Sequence, residues 1–456
     1  MKNKIYFATL FIAALVFSFP YCHAQEIKTL PEFNKDDRIL ILAPHPDDET
    51  IGAGGVIQEA LKAGAKVKVA CFTNGDHNQW AFIVYEKRIT LRKGEFLHMG
   101  EVRRKETLDA MSSLGLKQDD ILFLGYPDFG TLDVLTRYWG KTKPFRNTLT
   151  KLSDVSYPEA MSYKAPYVGE SILKDVEKIL LDFKPTKIFV SHPADTNRDH
   201  QALYLFLQVA LWDLESQLKR PEIYPYIIHA VGWPKPKGYH PDLEKTPPSM
   251  LTGIAWYKLS LTESEISAKH DAIKFYKTQI KYNPPYLFSF ARKDELFGDF
   301  PVFKLNKQKY GEASWQDLGT SEGADEDAQK SRRNPSPIIT LAYALGEDAV
   351  LVKIKLKQEI DKDFGVSVYL LGYSRNKKFA DMPKIYVLID SMGLHIKDKN
   401  KHLPLEVVQM GLNGKTLTLR IPLSLLGDPD YMLSRIRTGI DSSVVNETAW
   451  RILELE

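Results

Sequence analysis

Ile39-Leu40-Ile41-Leu42-Ala43-Pro44-His45-Pro46-Asp47-Asp48-Glu49-Thr50 runs from an apolar quartet through a polar cluster into the start of a helical pattern. The quartet reads as a buried strand. Thr50 to Ala63 keeps apolar residues at helical spacing and stops at Gly64, a favoured C-cap. The same alternation continues outward. Val67 to Thr73 is a second strand ending at Asn74-Gly75, Val102 to Leu114 is helical and closed by Gly115, and Ile121–Leu124 is a third strand. Ile172 to Phe183 and Gln201 to Leu214 read as helices flanking strand Lys187–Ser191, and Tyr226 to Val231 reads as a fifth strand. Strands alternating with helices predict an α/β domain with a Rossmann-like, mostly parallel sheet and helices on both faces. Ligands of such sheets bind beyond the carboxyl ends of the strands.

The pattern changes late in the chain. Residues 317–337 are rich in Gly, Ser, Asp, Glu and Pro and read as a linker. Beyond them Val352, Ile354 and Leu356 alternate with lysines, and Leu417, Leu419 and Ile421 alternate with polar residues after an Asn413-Gly414 turn. With Ile338–Leu345, Val366–Leu371, Ile385–Ile389, Leu405–Gln409 and Trp450–Leu453, about seven strands fill this stretch and predict a small all-β sandwich over 338–456. The expected organisation is a leader over 1–24, a catalytic domain over 25–316, the linker, and the sandwich, whose role the sequence leaves open.

Composition narrows the class. At 456 residues, 44% apolar and 26% charged, the chain is neither disordered nor collagen-like. Sixty-one basic against 58 acidic residues, with no basic run beyond Arg103-Arg104-Lys105, give no footprint for nucleic acid. Lys2 and Lys4 precede the apolar run Ile5–Phe19, and Cys22-His23-Ala24 reads as a cleavage site before Gln25. That run is short for a membrane span, so a cleavable signal peptide and a periplasmic or secreted protein without a span are expected. Bulky Phe19, Pro20 and Tyr21 argue against lipidation of Cys22. Cleavage leaves Cys71 alone, so no intrachain disulfide forms.

Two histidine-carboxylate clusters follow predicted strands: His45 to Glu49, and Ser191-His192-Pro193-Ala194-Asp195-Thr196-Asn197-Arg198-Asp199-His200. One such cluster at a helix start would ordinarily be capping. Two at the same edge of one sheet can converge on a metal. Imidazole and carboxylate suit Zn²⁺, and three protein ligands with an open position mark a catalytic site. His45 and Asp48, three apart, and His200 are the candidate ligands of one zinc per chain. Asp47 is left as a free carboxylate to take a proton from water.

The run Pro44-His45-Pro46-Asp47-Asp48-Glu49 resembles the signature of the PIG-L/LmbE-like zinc-dependent N-deacetylases. Gly52, Gly54 and Gly55, Thr73-Asn74-Gly75, Arg103-x-x-Glu106, Leu124 to Asp128, Lys269 to Gln279 and Glu295-Leu296-Phe297 are similar to further family elements. The resemblance covers about residues 36–300 and leaves out the C-terminal region. It implies zinc on His45, Asp48 and His200, Asp47 as general base, Arg103 on the substrate or the developing oxyanion, and Asp128 on sugar hydroxyls. The chain departs from the family at Asn197, where many members carry a histidine that protonates the leaving amine. An amide cannot do that, which leaves Asn197 a substrate-binding role and the role of Asp199 open. His192 and His229 are the candidate acids, His229 first because it follows Tyr226-Ile227-Ile228 and precedes Gly232-Trp233-Pro234, which points it to the same cleft.

These readings predict a hydrolase that removes the N-acetyl group from an N-acetylglucosamine-like amino sugar or glycoconjugate. The alternatives are an amidase for another N-acyl substrate and a glycan-binding protein with a vestigial site. Phe129 to Tyr167, carrying Tyr138, Trp139, Phe145, Tyr157, Tyr163 and Tyr167, is either a sugar-binding wall or a locally packed insertion. The sequence does not give the oligomeric state.

Overall fold

The structure is a computed structural model describing residues 27–87, 92–249, 251, 254–308, 316–317, 338–357, 359–360, 364–390, 392–440 and 443–456. The expected leader, and the expected linker after residue 317, lie outside the described residues. Among the described residues no helix is long and apolar enough to cross a membrane.

Eight strands make the first sheet: β1 (Ile27–Thr29), β2 (Arg38–Ala43), β3 (Lys66–Thr73), β4 (Ile121–Tyr126), β5 (Lys187–Ser191), β6 (Glu222–Tyr226), β7 (Trp256–Ser260) and β8 (Asp294–Gly298). Their spatial order is β1-β7-β8-β6-β5-β2-β3-β4. Pairings are parallel except those of β8, which runs antiparallel to β6 and β7. The helices are α1 (Asp48–Lys62), α2 (Gln79–Glu86), α3 (Lys93–Ser113), α4 (Thr131–Arg137), α5 (Gly169–Phe183), α6 (Arg198–Asp213), α7 (Glu263–Ile273), α8 (Lys277–Ile280) and α9 (Pro284–Phe288). Alternate residues of β2 serve opposite faces, as the strand period requires. Ile39, Ile41 and Ala43 join a core with Val56 of α1 and Ala110 of α3, while Leu40 and Leu42 join one with Ile172 of α5 and Phe206 of α6.

This topology positions the site. From β2 the chain winds outward through β3 and β4, then returns to the other side of β2 with β5 and β6. The β2–β5 junction is therefore a switch point, where loops leave the sheet in opposite directions and open a crevice. Leu42 lies opposite Val190, so the two polar clusters emerge side by side. The fifth strand differs from its expected bounds. β6 ends at Tyr226 because the Asp195 carboxylate, rather than a neighbouring strand, accepts the amides of Ile228 (3.0 Å) and His229 (2.9 Å).

The remaining strands are β9 (Val302–Leu305), β10 (Gln316–Asp317), β11 (Ile338–Leu345), β12 (Ala349–Leu356), β13 (Phe364–Tyr373), β14 (Lys384–Asp390), β15 (Gly393–Asp398), β16 (Lys401–His402), β17 (Gln409–Asn413), β18 (Thr416–Pro422), β19 (Tyr431–Ile440), β20 (Ser443–Glu447) and β21 (Arg451–Leu455). They form two sheets, β10-β11-β12-β18-β17 and β16-β15-β14-β13-β19-β21-β9, with β20 paired to β19. Val352, Ile354, Val366, Val368, Leu417 and Leu419 share one buried cluster between these sheets, as their alternation predicts. Leu405–Val407 is a short 3-10 turn after Pro404, so the strand expected from Leu405 begins at Gln409. The chain enters this β-rich region before residue 316, because β9 pairs in parallel with β21. The region packs directly on the α/β part. Trp212 of α6 stacks on Tyr431 at 4.6 Å, Trp139 meets Phe379 edge-on at 5.1 Å, and Arg435 donates to Gln201 across 2.8 Å.

Candidate functional site

The turn after β2 holds the first cluster. The amide of His45 donates to Asp48 Oδ2 (3.0 Å), that of Asp48 to the His45 carbonyl (3.2 Å), and that of Asp47 to Glu49 Oε2 (3.1 Å). Asp47 takes φ 120°, an unfavourable region for a side-chain-bearing residue that costs about 1–3 kcal/mol. The surrounding bonds hold it there.

The second cluster meets the first. Asp48 Oδ2 lies 3.3 Å from His45 Nδ1 and 3.0 Å from His200 Nε2, and all three residues are buried. His200 Nδ1 lies 3.2 Å from Asp195 Oδ2, yet neither ring nitrogen of His200 has a hydrogen bond of good geometry. A wholly buried imidazole left in this way is arranged as a ligand rather than as a donor. The His45, Asp48 and His200 ligand atoms lie within 4.8 Å of one another, close enough to hold one ion. Charge points the same way. Asp47, Asp48, Asp128, Asp195 and Asp199 are buried together, and among the described residues Arg103 is the one permanent cation that hydrogen-bonds into this group. Against burial, Asp195 and Asp48 hold His200 up at about 9, a measure of the negative field a divalent cation would meet.

Arg103 is 4% exposed and fixed by three acceptors: the Gly75 carbonyl (2.8 Å), the Pro46 carbonyl (2.6 Å) and Asp47 Oδ2 (3.2 Å). Gly75 has φ +65°, and a Cβ there would fall 1.9 Å from Arg103 Nη1, so only glycine lets the guanidinium reach Asp47. Burial pushes Asp47 up to about 8 although Arg103 opposes the shift. Asp128 lies beyond β4. Its Oδ2 accepts the His77 amide (2.8 Å), its Oδ1 is 3.1 Å from His45 Nε2, and against burial that imidazole holds it well below the usual carboxylate range. Asp199, whose role the sequence left open, accepts the amides of Phe129 (2.6 Å) and Thr131 (3.1 Å) and lies 3.4 Å from His45 Nε2. It clamps the loop that carries Asp128.

Asn197 caps α6, its Oδ1 accepting the Asp199 amide at 2.8 Å. His229 enters the crevice, its ring 4.7 Å from that of His200 and its Nδ1 3.2 Å from the Tyr286 hydroxyl. Burial pushes its imidazole down to about 4. His192 goes elsewhere: it stacks on Trp256, meets Phe300 edge-on, and does not line the crevice. The crevice encloses about 1030 Å³ and is lined by His45, Asp47, Asp48, Arg103, Asp128, Asn197 and His229, among others. Of the expected aromatic segment only Phe129 reaches it. Trp139, Tyr157 and Tyr167 are buried in the core, so that segment is chiefly a packed insertion. The aromatic lining comes instead from Trp80, Phe129, Trp233, Tyr282 and Tyr286. Arg437 and Glu447, from β19 and β20, close one side.

Residues 40–211 match the family described as PIG-L: GlcNAc-PI de-N-acetylase. Over that segment the chain is similar to a PIG-L domain. The matched segment contains both polar clusters, Arg103 and Asp128, and ends before His229. The chain is 34% identical over 91 residues to a probable N-acetyl-alpha-D-glucosaminyl L-malate deacetylase 2 of Bacillus cereus. It is 32% identical over 105 residues to a 1D-myo-inositol 2-acetamido-2-deoxy-alpha-D-glucopyranoside deacetylase of Mycobacterium sp. strain KMS. These matches cover 20% and 22% of this chain, and the chain spans 37% and 32% of the length of those relatives. The solved structure of N,N'-diacetylchitobiose deacetylase from Pyrococcus horikoshii is 21% identical, with a TM-score of 0.35 over 56% of this chain and 76% of that one. The matched segment thus accounts for the crevice floor, while the wall from β19 and β20 lies outside it.

Proposed function

We propose that this protein is a metal-dependent N-deacetylase that hydrolyses the N-acetyl group of an amino sugar or glycoconjugate, exported by its N-terminal leader. The observation that carries the reading is the buried convergence of His45, Asp48 and His200 inside a PIG-L domain, with Asp47 beside them and free of ligand duty. In this reading the PIG-L part is a Rossmann-like catalytic domain and residues 338–456 are a β-sandwich.

His45, Asp48 and His200 would hold the cation, zinc by the chemistry of this donor set. Such an ion supplies a Lewis acid that polarises an acyl oxygen and acidifies water. The chain's own residues do the rest. Asp47 takes the proton of the attacking water and is held in line by Arg103, whose guanidinium also faces the charge that develops on the acyl oxygen. Asp195 and Asp199 orient His200 and His45 from behind. Asn197 can hydrogen-bond substrate but not protonate the leaving nitrogen. His229, its Nδ1 held by Tyr286, is the candidate donor of that proton, and since burial keeps its imidazole neutral near pH 7 it acts only after taking up a proton within the site. Return of the proton taken by Asp47 is the other route, and His229→Ala separates them: turnover lost with metal retained assigns the step to His229, whereas full turnover assigns it to Asp47.

The deciding experiment measures metal content and acetate release from N-acetylglucosaminides for the chain from Gln25 onward and for His200→Ala. One zinc per chain and acetate release, both lost in the variant, is the expected result. Metal bound without acetate release across a panel of N-acetylated sugars, with release from other N-acyl amides, would give the reaction to a different amidase class.

A further inference from the structure

The β-rich C-terminal region reaches the crevice through one continuous chain of side chains. Asp195, beside His200, accepts a hydrogen bond from Gln201 Nε2 at its backbone carbonyl (2.6 Å), and Gln201 Oε1 accepts from buried Arg435 (2.8 Å). Arg435 pairs with Glu447, whose other oxygen lies 3.3 Å from Arg437 Nε. Glu447 therefore divides one negative charge between two guanidinium groups. Arg435 is 2% exposed at its side chain and fully engaged, also donating to the Thr448 carbonyl (3.1 Å). Arg437 differs. It lines the crevice, and its Nε is buried without a hydrogen bond of good geometry. Among the described residues its guanidinium donates no hydrogen bond, although it offers five N–H groups in a planar fork. Arg198, at the start of α6, also lines the crevice and, among the described residues, has only a 3.8 Å ion pair with Asp133. The wall is thus cationic, and the stacked Trp212–Tyr431 pair fixes it relative to the helix that carries His200.

We propose that the C-terminal region completes the substrate site and that Arg437 binds an anionic group, a carboxylate or a phosphate, carried by the substrate. This rests on the deacetylase reading for the identity of the reacting sugar, but the anion site itself is readable by binding alone. A planar fork with unmet donors, held against a neutralised carboxylate, matches the paired oxygens of such groups.

The test is calorimetric binding to the zinc-supplemented protein of three probes: N-acetylglucosamine, its 6-phosphate, and an N-acetylglucosamine ether bearing a carboxylate. The native protein is expected to bind at least one charged probe about tenfold more tightly than the neutral one. Arg437→Gln should remove that preference, bringing the charged probe's affinity down to about that of the neutral one, and Arg437→Lys should keep part of it. Which charged probe gains identifies phosphate or carboxylate. Equal binding of all three by the native protein overturns the proposal, and that result needs no variant to fold. A preference that survives Arg437→Gln also overturns it, placing the anion on the metal or on Arg198. Acetate release is read separately, so failure of the deacetylase reading leaves this outcome intact.

Discussion

Lys269 and Glu295 form an ion pair with both side chains wholly shielded from solvent, and the pair sits on a break in α1. At Ala53 the backbone leaves helical geometry (φ −143°, ψ 20°), which frees the amides that follow. Glu295 accepts those of Gly55 (2.7 Å) and Val56 (3.1 Å), and Lys269 donates to the Ile51 carbonyl (2.9 Å). A Cβ on Gly55 would lie 2.5 Å from Leu261, so the glycine allows this close approach. The break sets the direction of the short first segment of α1, which begins at Asp48. Lys269→Met or Glu295→Gln alone leaves a buried charge unpaired and should cost about 3–5 kcal/mol in denaturant unfolding. The double variant should recover much of that loss. Single variants as stable as the native protein would show that the pair does not hold the break.

Asp47 is next to the candidate ligands without being one of them, so metal and turnover should separate there. Asp47→Asn is expected to keep the metal and lower kcat by about 10²–10⁴-fold, the usual worth of a general base. Metal analysis beside steady-state kinetics checks this. Loss of the metal together with activity would make Asp47 a ligand and remove it as the base.

Gly75 tests whether Arg103 must sit against Asp47. Gly75→Ala drives a Cβ into Arg103 Nη1 at a positive φ, so the guanidinium has to move. The variant should lose kcat to a similar degree as Arg103→Lys, whose ammonium cannot span the Gly75, Pro46 and Asp47 acceptors together. Native kcat in Gly75→Ala would mean that the contact is dispensable.

The floor of this site was legible because its signals are local. A buried strand followed at once by His45, Asp47 and Asp48 states both the element and the chemistry, and the second cluster repeats it after β5. Adjacency of the two strands is a property of topology, yet the switch-point rule for alternating β and α elements already points there. What escaped depends on direction and distance. Trp139, Tyr157 and Tyr167 gave an aromatic composition, but nothing local says that they face the core. Tyr282 and Tyr286 lie at and beside helices of four and five residues, too short for a period to show. Asp195 ended a strand from another segment of the chain. Arg437 and Glu447 reach the crevice only through the pairing of β19 with β20 and the docking of a region some 230 residues beyond His200.

The junction of the two regions should respond to pH. Glu177 of α5 hydrogen-bonds Asp213 of α6, and burial together with that neighbour pushes it up to about 7; burial raises Asp213 as well. Tyr373 from β13 donates to Asp213 Oδ1 at 2.9 Å, tying the pair to the C-terminal region. A carboxyl whose folded pKa exceeds its unfolded value binds its proton more tightly in the folded state. Its stabilisation is fully present below the unfolded value near 4.5 and is lost as pH rises through about 7. Thermal midpoints should therefore fall by a few degrees between pH 5 and pH 8, and Glu177→Gln should flatten that slope. An unchanged slope in the variant would place the pH dependence elsewhere.

The aromatic rim predicts how substrate binding divides between KM and kcat. Trp80 is 66% exposed, Phe129 54% and Tyr282 45%, and all three line the crevice. Large apolar faces held in water are costly unless something covers them, and the apolar face of a sugar ring is of matching size. Such stacking is equal in ground and transition states, so its removal weakens binding without slowing the chemical step. Trp80→Ala should raise KM for an N-acetylglucosaminide about tenfold with kcat changed by less than about twofold, and Trp80→Phe should restore most of the affinity. A fall in kcat at constant KM would contradict this, because it would place Trp80 among the groups that act on the reacting bond.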